Sequence, residues 1–237
     1  VSNSLMKPLV KKLLIGVAVL AIGAVAGPWV YINLIKEDAP EALKLEPSAA
    51  TTIVEETVES TVQASAIDGQ WAIATDSIVG YRVKEVIVAQ STEGVGRTSA
   101  VQGTLNIAGE QVTEAQFSVD MTTLKSDSSR RDGQVNNRIL DTATYPTATF
   151  TLKQPITLTP EALAGSDLTT QATGTLTLRG VTKDIELTLI ARLANDVIEV
   201  NGSIEIIFAD WSIPDPSISA IVVEDRGQLE FLLRFTR

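Results

Sequence analysis

The chain has 237 residues, a net charge of −10 and neither cysteine nor histidine. Those absences remove disulfides, thiolate chemistry, the commonest metal ligand and the commonest general base, and the acidic balance argues against nucleic acid, whose phosphates repel it. Hydrophobic residues make up 44% of the chain but aromatics only 5%, so the apolar mass is aliphatic and β-branched, as strands prefer.

Residues 1–12 carry Lys7, Lys11 and Lys12 and precede an almost unbroken apolar run, Leu13–Ile35. About 20 such residues cross the hydrocarbon core of a bilayer. Lysines before the run, with Glu37 and Asp38 after it, put the N-terminus in the cytoplasm and the remainder outside. Trp29 and Tyr31 stand where an outer interfacial belt forms. A cleaved leader is the alternative, because Ala24-Val25-Ala26 fits a small-x-small cut after Ala26 and would leave a secreted or periplasmic product. However, Trp29–Ile32 continues the apolar run past that cut, which favours an uncleaved signal anchor in the cell membrane. Both alternatives make the rest of the chain extracytoplasmic.

Residues 36–69 are rich in Ala, Thr, Ser, Pro and acids and hold no period for long. Such a composition buries too little surface to offset ordering entropy, so a flexible or partner-ordered tether is expected there. Like charges would stretch it and keep the domain off an anionic membrane surface.

Residues 70–237 form the patterned domain, large enough for one core. Runs at 78–89, 98–108, 113–122, 147–158, 172–178, 183–193, 197–208 and 228–236 alternate apolar and polar residues or are rich in β-branched ones, which predicts half-buried strands. Gly180 sits between two of these runs and takes positive φ cheaply, so Leu176–Leu187 reads as a β-hairpin. Residues 126–140 interrupt the series as a helix. Ser129-x-x-Asp132 resembles a capping box, and Arg131, Val135 and Ile139 share one face, suited to covering a barrel mouth. The predicted class is all-β: an antiparallel barrel of about eight strands with one short helix, preceded by a single transmembrane helix. Closure removes sheet edges; a β-sandwich of the same strands is the alternative.

Four pieces of this domain resemble the YceI-like family of lipocalin-like barrels associated with polyisoprenoid binding. They are Trp71-x-Ile73 with Ser77-x-x-Gly80-Tyr81-x-Val83, Arg131-Asp132 to Leu140-Asp141, Tyr145-Pro146-x-Ala148-x-Phe150, and Leu176–Lys183. Together they span Trp71 to Phe235. Asp76 stands where many family members carry a histidine, so any role of that histidine does not transfer. The resemblance implies a lipocalin-like barrel around an apolar ligand.

Strand parity turns Leu105, Ile107, Phe117, Val119, Met121, Phe150, Leu176, Leu178, Ile185, Leu187, Ile204, Ile206, Phe208, Phe231 and Phe235 inward. These side chains either line a tunnel for an apolar ligand or fill the barrel as an ordinary core; pattern alone admits both. Arg130, Arg131, Asp132 and Trp211 are polar candidates at a barrel mouth, where an ion pair latching the helix to the rim is the plainer role. Arg179 and Lys183 read as a solvated turn.

No Ser-His pair, HExxH, phosphate loop or metal cluster is present, and no enzyme is expected. The expected function is a membrane-anchored extracytoplasmic module that holds a polyisoprenoid or isoprenoid quinone, with no covalent cofactor, no metal and no nucleic-acid partner. The alternative is a non-catalytic accessory subunit of a larger membrane complex, such as one of the respiratory chain.

Overall fold

Two long strands, each bent once, begin the domain. In the computed structural model, which describes residue 12 and residues 39–46, 67–87, 90–218 and 221–237, β1 (Gly69–Ile73) runs on into β2 (Ile78–Ile87), and β3 (Gln90–Thr98) into β4 (Val101–Ala108). β2 pairs with β3 and β1 with β4, so the four pieces form one bent hairpin. Ser77 holds the first bend. It is completely buried, and its Oγ donates to the Arg234 carbonyl at 3.2 Å and accepts from the Arg234 N–H at 2.9 Å.

The remaining strands follow in order: β5 (Gln111–Asp120), the short β6 (Lys125–Ser126), β7 (Thr147–Leu152), the short β8 (Ile156–Thr157), β9 (Leu168–Leu178), β10 (Val181–Ala194), β11 (Val197–Ile207), the short β12 (Ile221–Val223) and β13 (Arg226–Thr236). Neighbours pair antiparallel around the ring, and β13 closes it by pairing with both β1 and β2. With β1–β2 and β3–β4 each taken as one long strand, this is the expected eight-stranded antiparallel barrel. A β-bulge between Asn106 and Ile107 shifts the register against β5. The inward set of β5 therefore runs Val112, then Ala115, Phe117 and Val119.

The helix comes in two parts. α1 (Ser129–Gln134) leads into a π-helical turn, Val135–Ile139, and a second short helix α2 (Pro160–Leu163) lies at the other end of the barrel. The N-cap of α1 is Ser128, one residue earlier than the capping-box pattern suggests. Asp132 accepts instead from the Ser126 N–H and Oγ, at 2.8 and 2.7 Å, because β6 brings Ser126 alongside.

β9 and β10 form the expected hairpin. Leu178 faces Val181, and the two turn residues Arg179 and Gly180 have φ of 49° and 74°, the positive pair of a type I′ turn. A side chain at Gly180 would also meet the Tyr145 ring, 2.5 Å from an added Cβ. The Arg179 guanidinium lies 5.8 Å from the centroid of that ring and donates to the Ser212 carbonyl. The Tyr145-Pro146 motif and the hairpin motif are thus one packing unit. We expect Gly180→Ala to lose about 1–2 kcal/mol from backbone strain alone, and more from displacing Tyr145, read as a lower urea midpoint at unchanged m-value.

Leu13–Ile35 lies outside the described residues, and no helix among the described residues is long and apolar enough to cross a membrane. Of the expected tether at 36–69, residues 39–46 and 67–69 are described. Residues 39–46 lie along the outer wall of the barrel, held by side chains that donate to their backbone carbonyls. Arg82 reaches Pro40 at 2.6 Å, Arg97 reaches Glu41, Asn201 reaches Leu43 at 2.9 Å and Arg192 reaches Glu46 at 2.8 Å. Leu43 and Leu45 are half-buried while Lys44 and Glu46 are exposed. Composition misses this because the ordering contacts are made by backbone carbonyls, which every sequence has. Beneath this strap Glu230, almost fully buried, pairs with Arg82 at 3.3 Å and Arg97 at 2.9 Å.

Candidate ligand cavity

One end of the barrel is closed by packing. Ile67, Trp71, Leu105, Ile107, Leu163, Ile198, Leu233 and Phe235 form a buried cluster there, with Phe235 wholly enclosed. The Trp71 indole donates to the Ile67 carbonyl at 2.9 Å, and Arg237 covers its ring.

From this floor to the helix end the barrel is hollow. The cavity measures about 750 Å³, whereas packed interiors leave few voids larger than a water molecule and ligand sites span roughly 300–1,000 Å³. Its wall is aliphatic and aromatic. At the helix end the lining includes Arg131, Val135 and Ile139, the face expected to cover a mouth, and runs out to the exposed Arg130 and the half-buried Pro216 and Ile218. Arg138 clasps the helix to the facing loop by donating to the carbonyls of Asp215 and Pro216 at 2.8 and 2.9 Å.

Three aromatic rings lie flat against the wall because a glycine is beneath each. An added Cβ would come within 2.3 Å of Phe150 at Gly174, 2.6 Å of Phe231 at Gly202 and 2.3 Å of Tyr81 at Gly96. Phe150 stacks on Phe117 with centroids 5.6 Å apart and planes 9° from parallel.

Of the side chains assigned inward by parity, Leu105, Ile107, Phe117, Val119, Met121, Phe150, Leu176, Leu178, Leu187, Ile204, Ile206, Phe208, Phe231 and Phe235 line the cavity. Ile185 does not. It shares their parity but packs against the cluster that contains Leu178, Phe208, Trp211 and Ile213, because the turn Phe208–Trp211 folds in front of it. Trp211 is likewise buried in that cluster and is not a rim residue. Lys183 lies 5.6 Å from its ring centroid and 3.7 Å from Asp210, so Lys183 and Arg179 are packed and paired where a solvated turn was expected.

The mouth holds a buried polar group that periodicity alone passes over. Glu85 has the same inward parity as Val79, Tyr81 and Val83 on β2 and is almost fully buried. Arg131 reaches in from α1 to meet it at 2.8 Å and also pairs with Asp127. Burial opposes the Arg131 charge, but the Glu85 and Asp127 carboxylates outweigh it and raise the guanidinium above its ordinary pKa. Burial pushes the Tyr81 phenol above the usual tyrosine range, so it stays neutral and protonated. Arg131 is thus the latch, and Asp132, which does not line the cavity, serves the turn at Ser126. Arg130 is different: it lines the mouth, is exposed and has no hydrogen bond or ion pair among the described residues. Asp76 lies outside the cavity, 3.3 Å from Arg234.

A family model described as the YceI-like domain matches residues 52–235. Among solved structures, a polyisoprenoid binding domain from Saccharophagus degradans, implicated in plant cell wall breakdown, superposes with a TM-score of 0.56 at 23% identity, covering 71% of this chain and 98% of its own. BcnA of Burkholderia cenocepacia gives 0.50 at 18% identity, covering 66% and 95%. A comparison with curated proteins finds no match. At these identities the two structures establish the same fold.

Proposed function

The chain belongs to the YceI-like family, and from that premise we propose that it is a membrane-anchored extracytoplasmic module that binds a polyisoprenoid or an isoprenoid quinone without catalysis. The observation that carries this is the apolar cavity of about 750 Å³ inside a closed barrel. A cavity of that size and lining has no structural use to the fold, and it suits a hydrocarbon chain. Each buried carbon contributes about 0.8 kcal/mol, so about ten carbons, two isoprene units, contribute roughly 8 kcal/mol before association costs. The match to a domain described as polyisoprenoid binding points to the same ligand class. Arg130, unpaired at the mouth, suits a pyrophosphate or quinone oxygen, and Leu13–Ile35 supplies the anchor that keeps the barrel beside a pool of such lipids.

Purification of the full chain from membranes in mild detergent, followed by solvent extraction and mass spectrometry, is expected to recover a prenyl lipid in near-stoichiometric amount. Uniformly empty protein, with no lipid taken up from added prenol or quinone, would sink the proposal. The same preparation reads complex membership: co-migration with other membrane subunits makes the module an accessory subunit as well, and migration as a lone chain removes that role.

A further inference from the structure

We infer that the helix end of the barrel docks on the bilayer surface, and that the strap at residues 39–46 holds it there on a short leash. This rests on the reading of Leu13–Ile35 as the anchor. Three independent features point the same way.

The first is the apolar lip. β12 pairs with the tip of β2, placing Val222 beside Val86 and Ile221 beside Ile87. Ile87 and Ile221 line the cavity, whereas Val86 and Val222 face outward with 38% and 62% exposure. On the outer face this exposed valine pair stands among the exposed Lys84, Ser91 and Glu224, an apolar spot with a polar surround suited to the interfacial region of a bilayer. The one other large apolar side chain that is markedly exposed among the described residues, Ile207 at 37%, ends β11 at this same end of the barrel.

The second is polarity. Along the strap the carbonyls of Pro40 and Glu41 are held by Arg82 and Arg97, near the helix end. The carbonyl of Glu46 is held by Arg192, three residues from the β10–β11 turn at the closed end. The chain therefore arrives at the helix end and travels away from it.

The third is reach. Three residues, Lys36, Glu37 and Asp38, separate Ile35 from Ala39, and the four steps span at most ~14 Å when fully extended. From Arg82 to Ile87 the β2 tip projects about 17 Å further, at roughly 3.3 Å per residue. A leash shorter than the projection brings the lip to the lipid whenever this end faces the membrane. With the strap docked, the 34-residue stretch that composition marks as a tether gives the barrel almost no room to turn away. The lip is then a passage by which a prenyl chain moves between bilayer and cavity without crossing water.

The chain has no cysteine, so single labels are clean. The full chain carrying an environment-sensitive fluorophore at Val222→Cys is reconstituted in vesicles of phosphatidylethanolamine and phosphatidylglycerol. It is compared with the same label at Glu110→Cys, in the β4–β5 turn at the closed end. Severalfold enhancement with a blue shift, and quenching by spin-labelled lipid, is expected at 222 and absent at 110. A flexible Gly-Ser insertion between Asp38 and Ala39 lowers the effective concentration of the lip at the surface and brings the signal at 222 toward that at 110. Alkaline extraction separates the two ways to fail. Release of the protein from the vesicles defeats the anchor itself. Retention with a water-exposed label at 222 overturns the docking alone, and a signal indifferent to the insertion overturns the role of the strap.

Discussion

Replacing Ala115 with tryptophan is expected to empty the barrel of lipid while leaving it folded. Ala115 is half-buried on β5 and faces the cavity beside the floor cluster. In a packed core such a change overfills the site and costs stability; here the indole has open space to enter. Displacing even five ligand carbons costs about 4 kcal/mol at ~0.8 kcal/mol each, on the order of a thousandfold in affinity. Glu114→Trp is the matched control, since Glu114 is the exposed neighbour on the opposite parity and the same ring there stays outside. Lipid extraction after identical purification should find Ala115→Trp empty and Glu114→Trp loaded. Equal lipid in both would mean that the ligand does not occupy the barrel.

Removing the Arg131 side chain is expected to have the largest effect on stability. Glu85 stays almost fully buried with its strongest partner gone, and breaking a buried pair from one side costs about 3–5 kcal/mol. For a domain of this size that lowers Tm by roughly 6–20 °C. The double variant Glu85→Gln with Arg131→Met removes both charges and is expected to recover most of the loss, because position 85 then buries no carboxylate charge. Calorimetry on the two variants checks this directly. Arg131→Ala no less stable than the double variant would show that the pair does not act as a latch. The single variant should also release lipid faster, since α1 is then held over the mouth mainly by the Arg138 clasp.

The barrel was largely legible in the sequence for a physical reason. A strand with one face inside has period two, and a one-residue slip would expose its whole apolar set; Leu105, Phe117, Leu187 and Phe231 announce their direction by that constraint. Parity specifies which face a side chain shares but not how far along the barrel it lies. Ile185 therefore packs against Phe208 and Trp211 and does not line the cavity. Glu85 lies in a run that reads only as β-branched, and its role depends on Arg131, which is 46 residues away. Whether the inward side chains fill the barrel or merely coat it is a matter of ring orientation, which pattern does not carry. The strap was hidden for the opposite reason: its contacts are carbonyl oxygens, identical in every residue.

The rings laid on Gly174, Gly202 and Gly96 make the bore adjustable in discrete steps. A methyl group placed under one ring tilts it inward and shortens the room beyond it, and a smaller side chain in place of a ring lengthens it. At Gly96 the three nearest atoms all belong to the ring, whereas at Gly174 the Thr151 carbonyl of the paired strand lies 2.8 Å from an added Cβ, so a change there also strains the strand pairing. Each of the three pairs thus sets the depth of the cavity at its own position along the bore.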